Sequence, residues 1–167
     1  GTPCFVNPQE EVVEQLRQMG VDHEIVPCDP ALADTAAFCE AYGYSPDDSA
    51  NTIIVVGKGE VPRPVACVVL ASSRLDVNGV VRRRLGVRKA SFASADETMQ
   101  LTGMEIGGVT AFALPDDLPI WIDAVVMARQ QIILGGGSRS IKVLTPPSTL
   151  ALLKNSTVVD DLARPRE

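Results

Sequence analysis

Two glycine-rich segments are the parts of this sequence best suited to bind or activate a ligand. Gly107 and Gly108 can adopt positive φ angles and let a ligand approach the backbone, although a tight turn would use the same residues. The second segment begins at Gly135 and ends in Ser138 and Arg139. A turn of this composition can present backbone N–H groups and one guanidinium to an anion, or simply join two strands. The sequence leaves both interpretations open for each segment.

The remaining side chains argue against several classes of enzyme. The chain has one histidine, His23, and no Gly-x-Ser-x-Gly motif, so a serine hydrolase triad is not indicated. The phosphate-binding pattern Gly-x-x-x-x-Gly-Lys-Ser/Thr is also missing from the sequence. Because the cysteines form no Cys-x-x-Cys pair, we predict no metal and no cofactor, and reduced, partly buried thiols. These cysteines are Cys4, Cys28, Cys39 and Cys67.

The charge distribution bears on nucleic-acid binding. The 167 residues include 15 basic and 21 acidic ones, and the net charge of −6 argues against binding nucleic acid through overall charge. Residues 1–60 carry 2 basic and 11 acidic groups (net −9), whereas residues 61–167 carry 13 and 10 (net +3). The segment 74–89 holds six basic residues and one acid, Asp76, for a local charge of +5. This cluster is either a solvated helix face or a surface that attracts a polyanion.

The glycine segments and the basic cluster must be positioned by a mixture of helices and strands. Helical spacing, N-caps and closing glycines predict helices over 8–19, 35–42, 76–85 and 94–102, and one from residue 145. Short β-branched runs predict strands at 21–26, 52–56, 65–70, 119–123, 131–134 and 140–144. We therefore expect one α/β domain with a mixed sheet over residues 1–154, followed by a loose polar tail over 155–167.

Membrane insertion is not expected. No apolar run approaches the ~20 residues that span a bilayer, and no basic flank precedes an apolar stretch as in a signal peptide. With its unpaired cysteines, the sequence predicts a cytoplasmic protein.

In their order and spacing, the motifs resemble those of the YbaK / prolyl-tRNA-synthetase-associated domain family of aminoacyl-tRNA editing domains. The resemblance runs from about residue 8 to residue 154. The segments that carry it are 35–46, 49–55, 73–76, 93–97, 101–103, 107–112, 118–123 and 136–139. It implies a mixed, partly barrel-like β-sheet surrounded by helices. It also implies hydrolysis of the ester that joins a small, mischarged amino acid to the 3′ end of a tRNA.

The resemblance implies a role for individual residues of this chain. Catalysis would fall to the residues that orient the substrate end and hold its carbonyl, namely Asn51, Gly107, Gly108, Val109 and Thr110. The substrate would be bordered by Ala111, Phe112, Asp123, Ser138 and Arg139. The acceptor stem would be guided by Arg74, Arg82, Arg83 and Arg84. In the family no protein side chain acts as a covalent nucleophile, so positioning and oxyanion stabilisation would do most of the work.

Three positions depart from the family pattern. Asn51 stands where the family typically has a lysine, and a neutral amide cannot offset charge. Ala111 stands where the glycine-loop motif usually has proline, and Ala113 where a second glycine is common. The sequence therefore predicts an atypical pocket on a conserved scaffold.

Three functions remain open from the sequence. The first is a trans-acting aminoacyl-tRNA deacylase whose partners are the tRNA acceptor end and an aminoacyl-tRNA synthetase, acting as a monomer or homodimer. The second is a non-catalytic module that binds tRNA or an aminoacyl ligand, for which the neutral Asn51 is the best support. The third is hydrolysis of a small ester unrelated to tRNA, which would be insensitive to salt.

Overall fold

The computed structural model describes residues 7–166, and five α-helices lie within that range. They are α1 (Pro8–Met19), α2 (Thr35–Tyr42), α3 (Arg82–Leu85), α4 (Ala95–Thr102) and α5 (Ser148–Ala151). Both ends of α1 form as its cap residues predicted. The Asn7 side chain accepts a hydrogen bond from the Gln9 N–H (2.9 Å), and Gly20 ends the helix with a φ of 65°. The capping box predicted at Ser94 and Glu97 is likewise confirmed at the start of α4.

Ten strands form two sheets in residues 7–166. The strands are β1 (Glu24–Pro27), β2 (Ser49–Lys58), β3 (Arg63–Leu70), β4 (Ser73–Leu75), β5 (Lys89–Phe92), β6 (Ile120–Asp123), β7 (Ile132–Gly135), β8 (Ile141–Thr145), β9 (Ser156–Val159) and β10 (Ala163–Pro165). The larger sheet has the order β1-β8-β7-β2-β3-β6-β9, with β5 also paired to β2. Parallel and antiparallel pairs both occur, so the predicted mixed α/β architecture is confirmed.

The sheet branches along the long strand β2. On one edge β2 pairs with β3 over its length, from Ala50↔Leu70 to Gly57↔Arg63. On its other edge β2 pairs with β7 only at Ser49 and Ala50, and with β5 only from Val55 onward. Residues 51–54 therefore form a stretch of sheet edge between two neighbouring strands. This gap in the sheet positions the site described below.

Both faces of the central strands are buried, as the apolar runs predicted. On one face Ala50 and Ile54 pack with Ala66 and Val68, and helix α1 covers this core with Leu16. On the opposite face a second core holds the alternate residues of the same strands together with Trp121 and Leu162. Burial on both faces explains why these strands lack the polar alternation of a half-exposed sheet.

The helices predicted near 76–85 and from 145 differ in the structure. The Asp76 carboxylate accepts hydrogen bonds from the N–H groups of Gly79 and Val80, and a wide π-helical turn over Val77–Val81 precedes the short α3. Helix α5 begins only at Ser148, because Pro146 and Pro147 disfavour helical backbone in the residues before them.

The C-terminal segment is not the loose tail that its polarity predicted. Strand β9 runs parallel to β6, and β10 runs antiparallel to β4. Val159 and Leu162 are buried in the second core and hold the segment against the sheet. The segment has few apolar residues, so its sequence gave only weak evidence for strands. It forms β9 and β10 because β6 and β4 offer backbone hydrogen-bonding groups at their edges. Glu167 lies outside the described residues, as does Cys4 at the other end.

No helix within residues 7–166 is long and apolar enough to cross a membrane.

Candidate functional site

A cavity of about 240 Å³ opens at the gap in the sheet beside β2. Its lining includes residues 50–54 of β2, the segment 106–109 without Gly108, and Lys142 of β8. The remaining lining residues are Asp34, Thr35, Ala93, Thr98 and Gly135. Three of the five residues predicted to be catalytic line it: Asn51, Gly107 and Val109. The structure thus brings together two parts of the sequence that are more than fifty residues apart.

The exposed edge of β2 supplies backbone groups to this cavity. Ile54 accepts a hydrogen bond from the Ala93 N–H (2.9 Å) on the edge away from β3, and Ala50 pairs with β7 on the same edge. Because strand residues alternate, the N–H and C=O of Thr52 point to that edge as well, between β7 and β5. The side chain of Asn51 accepts a hydrogen bond from the Thr35 hydroxyl (2.7 Å). This contact ties the start of helix α2 to the cavity.

The two glycine segments, which the sequence could only treat separately, contact each other. The Gly137 N–H donates to the Gly108 carbonyl (2.8 Å), and the Arg139 guanidinium donates to the Ile106 carbonyl (2.8 Å). A Cβ on Gly108 would lie 2.7 to 2.9 Å from the backbone of Ser138. Gly107 has a φ of 92°, where a side chain is strained. Packing therefore requires glycine at position 108 and backbone conformation requires it at position 107, whether or not a ligand binds.

The donors of the glycine segment differ from the predicted set. The Gly108 N–H already donates to the Glu105 carbonyl (2.9 Å), so it is not free for a substrate. Within residues 7–166, the N–H groups of Gly107 and Val109 make no hydrogen bond to the protein. These two residues line the cavity, and they are better placed than Gly108 to hold a carbonyl oxygen.

Lys142 is a cavity residue that the sequence analysis missed. Its ammonium donates to the carbonyls of Ala33 (2.6 Å) and Gly107 (2.9 Å), and it lies 5.4 Å from the centroid of the Phe38 ring. The residue is only 6% exposed, and this burial lowers the pKa of the ammonium below its usual value. Lys142 alternates with the core residues Ile141 and Val143, a pattern typical of a lysine that faces solvent. It is buried here because Ala33, the Phe38 ring of α2 and the loop at Gly107 surround its ammonium.

Three residues predicted to cradle or border the substrate lie in the protein core instead. Thr110, Ala111 and Phe112 are at most 1% exposed, and none of them lines the cavity. Phe112 is among the largest fully buried side chains. The chain turns inward directly after Val109, so these residues support the cavity wall from behind.

Asp123 also lies away from the cavity lining. It is 1% exposed, and neither carboxylate oxygen has a hydrogen-bond partner of good geometry within residues 7–166. Burial raises the pKa of this carboxyl, and the nearby backbone amides of Leu162, Ala163 and Ala124 only partly offset the effect. Two of these three neighbours, Leu162 and Ala163, belong to the C-terminal segment that was expected to be loose.

The side chains of Ser138 and Arg139 are engaged by the protein itself. The Ser138 hydroxyl donates to the Gln9 side chain of α1. The Arg139 guanidinium donates to the Pro30 carbonyl (2.9 Å) and forms an ion pair with Asp34 (3.0 Å). Arg139 therefore holds the segment 30–34 and the loop at Ile106 together at the cavity rim, and does not line the cavity itself.

The four arginines predicted to guide tRNA do not line the cavity. Arg74 is exposed on β4, and it lies directly opposite Arg164 of β10 in a separate cleft that Arg166 also lines. Arg82 donates to the Asn78 carbonyl (2.8 Å), and the Arg84 guanidinium lies 5.1 Å from the centroid of the Trp121 ring. Arg83 is exposed.

The three described cysteines are free and buried, in agreement with the prediction of reduced thiols; they are Cys28, Cys39 and Cys67.

Comparison with known proteins identifies the family. The family model described as an aminoacyl-tRNA editing domain matches residues 29–151. The chain belongs to this family. An uncharacterized protein of Bacillus subtilis (strain 168), YwhH, is 25% identical over 155 residues, which cover 93% of this chain and 96% of that protein.

Solved structures of this fold agree with that assignment. The hypothetical protein APE2540 matches with a TM-score of 0.82 and 23% identity, covering 92% of this chain and 99% of the other. A protein described as a candidate trans-editing enzyme for prolyl tRNA synthetase matches with a TM-score of 0.79 and 21% identity, covering 97% and 99% of the two chains. At these identities the two structures establish the fold of the present editing domain and leave its chemistry to be argued from its own residues.

Proposed function

We propose that this chain is a trans-acting aminoacyl-tRNA deacylase that hydrolyses the ester of a small, mischarged amino acid. Membership of the editing-domain family supports the reaction class. The observation that carries the proposal is the single cavity in which Asn51, Gly107, Val109 and Lys142 meet. We assign this activity to a domain over residues 1–154, and we propose that the protein is cytoplasmic.

The proposed reaction relies on backbone groups and positioning. The free N–H groups of Gly107 and Val109 would hold the ester carbonyl oxygen, which gains negative charge when water attacks the carbonyl carbon. Asn51, fixed by Thr35, would orient the substrate end with its remaining amide hydrogens. Beyond these groups the cavity wall mixes aliphatic residues, such as Ile54 and Ile106, with polar ones that include Asp34 and three threonines. Its size suits a small side chain.

The acceptor stem would dock on the arginine-rich surface, which is a different part of the molecule from the cavity. To the predicted set of Arg74 and Arg82 to Arg84 we add Arg164 and Arg166 of the C-terminal segment, because both line the same cleft as Arg74. Arg74 and Arg164 face each other across a strand pair with one acidic neighbour, Asp76, so their charges are only partly compensated. Phosphate groups are the partners that such a cluster favours.

A deacylation assay over a panel of tRNAs charged with Ala, Ser, Cys and Thr tests the proposal. We expect turnover above the spontaneous rate for at least one of them, and a steep loss of activity when salt rises from 50 to about 200 mM. Turnover that is insensitive to salt would favour hydrolysis of a small ester unrelated to tRNA. No turnover on any tRNA would contradict the deacylase proposal.

A non-catalytic binding module is the second possible function, because the neutral Asn51 is held by Thr35 and Gly108 has no free N–H. Restoring the family residues with Asn51→Lys and Ala111→Pro distinguishes the two functions. Activity that appears only in this double variant would identify the natural chain as a binder.

A further inference from the structure

The ammonium group of Lys142 has an unused hydrogen-bond donor inside the cavity. Two of its three N–H bonds go to the carbonyls of Ala33 and Gly107. Within residues 7–166 the third has no hydrogen-bond partner. Lys142 lines the cavity, and we infer that a bound ligand can accept a hydrogen bond from this donor.

The charge of this ammonium has no carboxylate partner. None of the ion pairs in residues 7–166 involves Lys142. The neighbouring acid, Asp34, lines the same cavity, but its ion pair is with Arg139 at 3.0 Å. A buried ammonium held by carbonyls alone is costly for a fold, and this favours a function in which negative charge appears beside it.

The carbonyl that Lys142 contacts belongs to the segment whose backbone we assign to the substrate. Gly107 offers its free N–H and lines the cavity, while its C=O is held by the Lys142 ammonium. Asn51 lines the same cavity from the neighbouring edge of β2. The ammonium is therefore bound to Gly107, the same residue whose N–H is proposed to hold the ester carbonyl.

From this arrangement we propose that Lys142 is a catalytic residue whose ammonium stabilises the oxyanion formed during ester hydrolysis. The role rests on the deacylase function proposed above. Water attacks the carbonyl carbon, the C=O π pair moves to the oxygen, and Lys142 donates its third N–H to that oxyanion. The intermediate then collapses, the ribose oxygen leaves with the proton lost by the attacking water, and the free amino acid and the tRNA hydroxyl result.

Steady-state kinetics of Lys142→Met give the first test. We expect kcat to fall by about 100-fold or more, with KM changed by less than about threefold, because the interaction exists only in the transition state. A raised KM with an unchanged kcat would mean that the ammonium binds the ground state, and it would overturn the proposal. Lys154→Met is the matched control, since Lys154 is exposed and pairs only with Asp116 at 3.7 Å. Lys142→Gln is the second variant if Lys142→Met does not fold.

A second-site variant separates the effect of the ammonium charge from the effect of its hydrogen bonds to Ala33 and Gly107. Asn51→Lys combined with Lys142→Met returns an ammonium to the cavity but leaves both carbonyls without their donor. We expect the combination to recover kcat by about tenfold or more over Lys142→Met alone. Asn51→Lys alone is the reference, because it gives the cost of losing the substrate-orienting amide of Asn51. If Lys142→Met lowers kcat as much in the Asn51→Lys background as in the wild type, the effect belongs to the freed carbonyls and the proposal is overturned.

Binding of two analogues tests the role without turnover. One probe is an α-aminophosphonate ester of adenosine, which carries the tetrahedral anion, and the other is the neutral 3′-amide of aminoacyl adenosine. We expect the wild type to prefer the phosphonate and Lys142→Met to lose about 100-fold of that preference, with amide binding unchanged. Equal preference in both proteins would overturn the role of Lys142. A wild type that shows the preference but deacylates no tRNA would instead refute the deacylase function alone.

Discussion

The contact between the two glycine segments leads to a prediction about Gly108. An added Cβ in Gly108→Ala would lie 2.7 Å from the carbonyl carbon, 2.8 Å from the Cα and 2.9 Å from the N of Ser138. These are backbone atoms, so no side-chain rotation can relieve the overlap. The segments must separate, and the hydrogen bond from the Gly137 N–H to the Gly108 carbonyl (2.8 Å) must weaken.

The size of the effect follows from three contributions. Overpacking of a well-packed site destabilises a protein by typically 1–3 kcal/mol. A weakened, buried hydrogen bond adds about 1 kcal/mol. The lower entropy of the unfolded alanine chain offsets about 0.4–1 kcal/mol of this. We therefore expect the free energy of unfolding to fall by about 1–3.6 kcal/mol, which for a chain of this size lowers Tm by roughly 2–14 °C.

Equilibrium unfolding in urea, followed by circular dichroism, measures this change, and Gly59→Ala provides the control. Gly59 is exposed, and its added Cβ would meet nothing closer than the Val61 carbonyl oxygen at 3.8 Å. We expect Gly59→Ala to change stability by less than about 0.5 kcal/mol. Equal shifts in the two variants would refute the claim that backbone proximity to Ser138 dictates glycine at position 108.

Three further predictions concern the backbone, a thiol and a buried carboxyl. Ala113 has a φ of 56°, so Ala113→Gly should relieve left-handed strain and raise stability by up to about 1 kcal/mol, measured as a higher urea midpoint; an unchanged or lower midpoint would contradict this. Burial raises the pKa of Cys67 to about 12, so native protein treated with iodoacetamide at pH 8 should show no label on its Cys67 peptide, whereas label appears after unfolding; rapid native labelling would contradict the burial. The pKa of Asp123 is raised in the folded state, so the folded protein binds its proton more tightly than the unfolded chain and this carboxyl stabilises the fold less as pH rises through its titration. The stability of Asp123→Asn relative to the wild type should therefore increase from pH 3 to pH 7 in urea titrations, and a decrease would reverse the sign of the argument.

Much of the fold could be predicted because the signals are local. The Asn7 cap and Gly20 define α1, and the Ser94–Glu97 box begins α4, since caps depend on neighbours a few residues away. The apolar runs of β2 and β3 likewise identified the central strands. The order of the motifs identified the editing-domain family, which the family model confirms over residues 29–151.

The site could be predicted only in part. Motif order predicted Asn51, Gly107 and Val109, and the structure places all three at one cavity. Their roles there are part of the proposal. Asp123 was misplaced because its surroundings come from residues 162–163, which the sequence presented as a loose tail. Thr110 to Phe112 were misplaced because no local pattern shows where a loop turns inward to the core.

The sequence alone thus predicted the family, the main helices and strands, and the glycine segments. Helix caps, composition and motif order can all be read along the chain without knowing its fold. The tertiary structure alone decided which groups share the cavity. Pairing of β2 with β7 at one end and with β5 at the other leaves the gap at 51–54. The alternation of Lys142 with Ile141 and Val143 would place it in solvent, but Ala33, the Phe38 ring and Gly107 surround its ammonium and make it a buried cation. Such long-range packing places side chains from distant segments together, and no local sequence pattern records it.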